Sequence, residues 1–319
     1  MNTETGTDIS LAADLLRRGE IVAIPTETVY GLAGNALDEE AVIRIYEAKQ
    51  RPRFNPLIIH LPSIEEAGKY VKEIPDPFRL LAAAFSPGPL SYLLPKTSLV
   101  PDLVTAGSDK VVIRIPAHPM ALELLKQLDF PLAAPSANPF GYVSPVKAIH
   151  VKEGLDGKIP YILDGGDCSV GVESTIIGIQ GKDLIIHRIG GVGAEDILRV
   201  TGMMPLFSLL HEKPDTPGQL RSHYAPGKPL IVGNVDELIK TYAGRNLAVV
   251  SFRKKYEVDD CRILSPTGDL HEAASRLFTT LRELDRSEVE IILAEVFPEE
   301  GIGMAINDRL NRANSSMLN

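Results

Sequence analysis

Between Ile21 and Leu61 the sequence groups side chains that can hold an anion. A strand-like run, Ile21 to Ile24, ends at Pro25 and opens into Thr26-Glu27-Thr28 and then glycines. Lys49, Arg51 and Arg53 follow at alternate positions, with Asn55 and His60 behind them. Cations and small hydroxyls between two short apolar strands suit a small polar anion. The same cations also fit the solvated end of a helix, where positive charge meets the carbonyl end of the dipole. Three further clusters favour a ligand. Arg114 interrupts the apolar run VVIRIP, where a charge is costly unless a ligand or a buried carboxylate pairs with it. Ser136 and Asn138 stand just past a strand, where α/β folds place ligands, although such residues also shape turns. Ser174 and Thr175 open another strand after Gly171-Val172-Glu173.

Other candidates read more plainly. His60 lies inside PLIIHL, where a satisfied core histidine is the simpler reading. Cys168 has no evident base partner and reads as a loop thiol. Ile189-Gly190-Gly191-Val192-Gly193 resembles part of a dinucleotide fingerprint but lacks the third glycine, so a glycine-rich turn fits better. There is no G-x-x-x-x-G-K-[ST], H-E-x-x-H or C-x-x-C, and nothing points to covalent catalysis.

The elements that must position these residues mix helices and strands without a strict βαβ rhythm. Helices are expected from Leu11, Asp38, Ser63 (a capping box with Glu66, running to about Val71), Asp76 and Pro119. Strands are expected at 20–25, 56–61, 90–94, 111–115, 132–134 and 161–163, with a hairpin over 174–189 turning at Gly181-Lys182. This predicts an α/β or α+β first domain, residues 1–202, around a mixed, twisted sheet. Residues 203–228, MMPLFSLLHEKPDTPGQLRSHYAPGK, have four prolines and no period, and read as a linker. Beyond it, strands near 229–233, 247–252 and 289–296 alternate with helices near 235–243 and 269–285. The last of these helices presents Leu270, Ala273, Ala274, Leu277, Phe278, Leu281 and Leu284 on one face. Residues 229–319 are thus expected to form a small three-layer α/β domain.

Bulk composition narrows the classes. With 319 residues, 44% hydrophobic and 24% charged, the chain is long enough for two packed domains. Its two cysteines, one in each half, point to a reducing compartment and exclude a cysteine-based zinc cluster. The polar N-terminus lacks a signal-peptide pattern and no apolar run reaches a membrane span; a cytoplasmic protein is expected. The net charge of −9 works against a general nucleic-acid binder, and 6% aromatics with no tryptophan gives little base-stacking surface. A local basic pocket for a nucleotide remains compatible with that balance.

Taken in order, PTETVYGL, K-x-R-P-x-x-N-P-L-I-x-H, S-P-G-P-L-S-Y-L-L, V-x-I-R-I-P-A-H-P, A-P-S-A-N and G-V-E-S-T-I-I resemble the YrdC family of threonylcarbamoyl-AMP synthases over about residues 10–200. PGQLRSHYAP followed by a small α/β domain resembles the longer, two-domain form, whose C-terminal domain is Rossmann-like. The resemblance implies a YrdC-like twisted sheet and one reaction. L-Threonine, bicarbonate or CO2, and ATP would give L-threonylcarbamoyl-AMP and pyrophosphate. A separate tRNA threonylcarbamoyl transferase complex would use the product to modify tRNA. By motif match, Thr28, His60, Arg114 and Ser174, with the Ala134 backbone, would hold threonine. Arg51, Asn55, Ser136, Asn138, Ser144 and Arg188 would face the nucleotide, with Lys49 adding charge on the phosphate side. Lys110, where relatives often carry a small hydroxyl, would reach the nucleotide region. Tyr224 would fold back from the linker as a lid. Mg2+ would arrive on the ATP phosphates with no protein ligand, and no organic cofactor, membrane contact or direct nucleic-acid contact is expected.

Two other classes compete. The same basic concavity could bind tRNA or double-stranded RNA without chemistry, which salt-sensitive RNA binding without ATP turnover would reveal. A carbamoyl-transfer module of the hydrogenase-maturation type would need zinc-finger regions that two cysteines cannot supply.

Overall fold

The computed structural model describes residues 2–208, 216 and 224–314. In chain order the first part contains β1 (Glu4–Gly6), α1 (Ile9–Arg17), β2 (Val22–Ile24), β3 (Gly31–Asn35), α2 (Glu39–Lys49), β4 (Ile58–His60), α3 (Asp76–Phe85), β5 (Leu90–Pro95), α4 (Asp102–Thr105), β6 (Lys110–Arg114), α5 (Pro119–Lys126), β7 (Leu132–Ala133), α6 (Ala148–Leu155), β8 (Tyr161–Leu163), β9 (Thr175–Gln180), β10 (Asp183–Arg188), α7 (Ala194–Thr201) and β11 (Leu206–Phe207). These strands form one mixed sheet in the order β1-β8-β2-β3-β7-β4-β6-β5-β9-β10-β11. The second part contains β12 (Leu230–Val232), α8 (Val235–Thr241), β13 (Leu247–Ser251), β14 (Asp260–Ile263), α9 (Leu270–Arg286), β15 (Ile291–Ala294) and α10 (Gly303–Ala313). Its sheet, β12-β15-β13-β14, is wholly parallel.

Local chemistry explains the elements that matter for the site. Asp38 caps α2 by accepting from the Glu40 N–H at 2.9 Å, and α2 ends where Gln50 adopts a left-handed conformation, φ 54°. That reversal sends Arg51 back toward the sheet. Strands β4 and β6 run parallel with His60 opposite Arg114, so both side chains emerge at the same end of the sheet. β5 brings Ser91 beside Arg114 on the other flank. On the far side, α9 buries the predicted apolar face, including Ala273, Ala274, Leu277, Phe278, Leu281 and Leu284.

Several expectations need correction. The Ser63–Glu66 capping box does not form; Glu65–Lys69 is a short 3₁₀ turn without a side-chain cap, and Glu66 pairs with Lys69 instead. Gly68 and a run too short to repay nucleation account for this. The stretch read as linker begins with β11, which pairs with β10. Most of the remaining linker, including PGQLRSH of the motif, lies outside the described residues. Helix α9 is not the last: α10 follows it, and β14 was not expected.

Candidate active site

The loop after β2 is wound around one hydroxyl. Thr26 Oγ donates to the Val29 carbonyl at 2.6 Å and accepts from the Thr28 and Val29 N–H groups. The Thr28 hydroxyl, fully buried, lies 2.8 Å from it. This turn aims Glu27 inward. One Glu27 oxygen accepts from Arg114 Nη2 at 2.7 Å and the other from the Ala117 N–H at 3.0 Å. Arg114 Nε also donates to the Gly88 carbonyl at 3.3 Å. The buried-carboxylate reading of Arg114 is therefore realised, and the arginine still lines a cavity.

That cavity, of about 50 Å³, is bounded by Val29, Arg51, Ile58, His60, Arg114, Ala134, Pro135, Ser136, Glu173, Arg188 and Tyr224. Arg51 is held by two carbonyls, Nε to Asn55 O at 3.2 Å and Nη2 to Pro56 O at 2.9 Å. Arg188 is held by Ser174, Nε to its carbonyl and Nη2 to its hydroxyl, both at 3.0 Å. The Ser174 hydroxyl also meets Ser91 Oγ at 2.7 Å. Neither arginine makes an ion pair among the described residues. Burial pulls both down to about 10, so they still carry their charge at neutral pH. Two buried guanidiniums aligned by carbonyls rather than carboxylates are a prepared seat for an anion.

His60 is buried and its Nδ1 has no partner among the described residues. Burial, then the Arg114 charge, pushes it down to about 3, so the ring is neutral. Asn55 is completely buried with both Oδ1 and Nδ2 unpartnered among the described residues. Asn138 spends its amide hydrogens on the Pro139 and Tyr142 carbonyls, and its Oδ1 has no partner among the described residues. Buried unpaired polar atoms are costly; of these three residues His60 lines the cavity, whereas Asn55 and Asn138 adjoin lining residues without lining it themselves.

The other predicted residues divide. Ser136 and Ala134 line the cavity. Ser144 donates to Glu173 at 2.6 Å. Lys49 does not reach the cavity: its ammonium is buried beneath the 135–138 loop and donates to the Ser136 and Asn138 carbonyls. Burial, then Arg51, holds it well below the usual lysine range. Lys110 stands at the opposite end of β6, paired with Pro95, about 13 Å from Arg114 at ordinary strand rise, and is not brought to the site. Gly190 belongs to a close approach of chains, since a Cβ there would sit 2.2 Å from the Glu173 carbonyl. A larger open groove of about 610 Å³ beside α3 is lined by scattered charges and has no comparable convergence.

Sequence reasoning missed three residues. Glu27 and Glu173 sit inside the motifs that supplied Thr28 and Ser174, but carboxylates were not sought in an anion pocket. Burial alone would push Glu173 up; the Arg309 and Arg188 charges outweigh it and hold the carboxyl at about 2. Arg309, on the unexpected α10, donates to Glu173 at 2.7 Å.

Fold and site together define a mixed-sheet α/β protein with an enclosed cationic seat beside a second, arginine-and-histidine subsite. Residues 14–190 match the Sua5/YciO/YrdC family model, described as "Telomere recombination". Residues 192–315 match the model described as "Threonylcarbamoyl-AMP synthase, C-terminal domain". The chain belongs to the Sua5/YciO/YrdC family. It is 43% identical to the threonylcarbamoyl-AMP synthase of Pyrococcus abyssi, covering 96% of this chain and 93% of the relative. It is 41% identical to the enzyme of that name from Bacillus subtilis, covering 96% and 92%. The crystal structure of Pyrococcus abyssi Sua5 complexed with L-threonine superposes with a TM-score of 0.92 at 40% identity, over 98% of this chain and 97% of that one.

Proposed function

We propose that this chain is an L-threonylcarbamoyladenylate synthase. The threonine amine attacks CO2 or bicarbonate to give a carbamate. A carbamate oxygen then attacks the α-phosphorus of ATP, forming a carbamate–phosphate anhydride as pyrophosphate leaves. Such a reaction needs positioning and charge neutralisation more than a protein nucleophile. The observation that carries the reading is the pairing of two subsites in one pocket of a chain that matches synthases over more than nine-tenths of their length. Arg51 and Arg188 offer their charge to the polyphosphate, and Arg114 beside neutral His60 offers a two-pronged seat for an amino-acid carboxylate.

In this account Thr28, Ser174 and the Ala134 backbone complete the threonine subsite. Asn55, Ser136, Asn138 and Ser144 serve the nucleotide side, with Lys49 acting indirectly by fixing the loop. Mg2+ enters on the phosphates, neutralising part of their charge. Among the described residues no group of three or more His, Cys, Asp or Glu side chains could hold a metal. The chain divides into a catalytic domain, 1–202, a lid-bearing linker, 203–228, and an α/β domain, 229–319. With Tyr224 buried against it, the cavity of about 50 Å³ is far smaller than the roughly 300 Å³ or more of ordinary ligand pockets. Tyr224 must withdraw to admit ATP and can return to exclude water from a labile anhydride. The product passes to a separate tRNA threonylcarbamoyl transferase complex in the cytoplasm.

The RNA-binding alternative is disfavoured by the net charge of −9 and by the enclosure of the arginines. Pyrophosphate release from ATP tests the choice. Release that requires both L-threonine and bicarbonate supports the synthase; RNA binding by folded protein that releases none supports the alternative.

A further inference from the structure

Two arginines from the C-terminal helices reach the walls of the nucleotide cavity. Arg282 on α9 donates to the Val143 carbonyl and lies 4.9 Å over the Tyr142 ring, gripping the chain beside Ser144. Arg309 on α10, 1% exposed, goes further. Its Nε donates to Glu173 at 2.7 Å, its Nη2 donates to the Ile189 carbonyl at 2.9 Å, and its guanidinium lies 5.0 Å over the Tyr224 ring. One planar group thus touches the wall carboxylate, the backbone next to Arg188 and the lid tyrosine. Tyr224 itself holds a left-handed backbone, φ 67°, and stacks on Phe278 of α9 with ring centres 5.8 Å apart.

The position of Glu173 gives this arrangement meaning. It is the single carboxylate among the cavity-lining residues, and it stands where a polyphosphate is to be seated. An uncancelled negative charge there would repel the ligand and compete for Arg188. Arg309 offsets it, with Asp308 on its Nη1 in turn also paired to Arg312, while Ser144 occupies the other carboxylate oxygen. A buried arginine kept only for folding could be exchanged for an apolar side chain once its partner was also neutral. Here the fork ties three separate pieces of one pocket wall to a helix of the second sheet's domain.

We infer that Arg309 is a positioning residue through which the C-terminal domain completes the ATP site: it neutralises Glu173 and gives Tyr224 its platform. The inference rests on the synthase reading. The C-terminal domain is then part of the nucleotide-facing wall as well as the element beyond the lid.

The test is calorimetric binding of a non-hydrolysable ATP analogue to the full chain, with KM for ATP and for L-threonine measured alongside. Arg309→Met is expected to weaken ATP-analogue binding and raise KM for ATP at least tenfold, while KM for threonine moves less than threefold. Adding Glu173→Gln to Arg309→Met is expected to recover at least threefold of the lost ATP affinity, because the repelling charge is gone. A role in folding alone would show the double variant's recovery in the urea midpoint only and would leave the ATP affinity of the folded single variant unchanged. Should Arg309→Met not fold, Arg309→Lys keeps the charge and loses the fork, and a threefold or larger loss is expected. ATP affinity within twofold of the parent in a folded Arg309 variant, or an equal loss in the single and double variants, overturns the inference. A parent protein that does not bind the analogue overturns the synthase reading itself.

Discussion

Glu27 offers the sharpest energetic test of the threonine subsite. Its carboxylate and the Arg114 guanidinium are 9% and 5% exposed and meet at 2.7 Å. Glu27→Ala leaves the guanidinium buried with only the Gly88 carbonyl from this set and strips the Ala117 N–H of its acceptor. Removing one partner of a buried ion pair costs about 3–5 kcal/mol. Glu27→Gln keeps the shape but only one of the two acceptor oxygens, so either Arg114 or the Ala117 N–H then faces an amide NH2, a loss of about 1–3 kcal/mol. Urea unfolding of the full chain should therefore rank parent above Glu27→Gln above Glu27→Ala. KM for threonine should rise in the same order, because Arg114 is no longer aimed. A Glu27→Ala protein within about 0.5 kcal/mol of the parent, the usual effect of a surface change, would refute the reasoning.

Lys49→Met keeps the buried stem but deprives the Ser136 and Asn138 carbonyls of their donor. The Asn138 carbonyl is then unsatisfied, while Ser136 O still accepts from the Asn138 N–H at 3.0 Å, so a loss of about 1–3 kcal/mol is expected, with a raised KM for ATP; a fully stable variant that loses only kcat would instead put the ammonium at the phosphates. For pH, His60 and His150 are both held near 3 by burial. The unfolded chain takes up protons below about 6.5 that the folded chain refuses, so stability must fall as pH drops from 6.5 toward 3. For His60 the slope is at most about 1.4 kcal/mol per pH unit. Denaturation midpoints that stay flat from pH 7 to 4.5, or that fall equally steeply in His60→Asn, would contradict this.

Much of the site could be read from residue types. Arg51, His60, Arg114, Ser136 and Arg188 line one cavity: His60, Arg114 and Arg188 end short strands and Ser136 follows one, all with plain apolar runs, while Arg51 follows the end of α2. The hairpin at Gly181 and the buried face of α9 are equally visible in the spacing. Strand β3 was not, since Gly31 and Gly34 give it little strand preference. They serve contact instead: a Cβ on Gly31 would lie 3.2 Å from Ala134. Helix α10 was hidden for the opposite reason. It buries Asn307, Arg309 and Arg312 as well as the apolar Ala305, Ile306, Leu310 and Ala313, and polar residues whose burial depends on partners elsewhere in the chain dilute its short apolar period. Lys49 looks like a helix-end cation, and only tertiary structure reveals the carbonyls that surround it. Pairings across more than a hundred residues, such as Glu173 with Arg309, leave no local trace.

The central claim is bond formation between a threonine carbamate and the α-phosphorus. Incubating the protein with ATP, L-threonine and 13C-bicarbonate, and following 13C and 31P spectra together, observes that bond directly. The account predicts a labelled carbamoyl carbon coupled to the phosphorus of an AMP ester, formed in step with pyrophosphate. Label without phosphorus coupling, with ADP and inorganic phosphate accumulating, would mean cleavage at the β–γ bond and would contradict it.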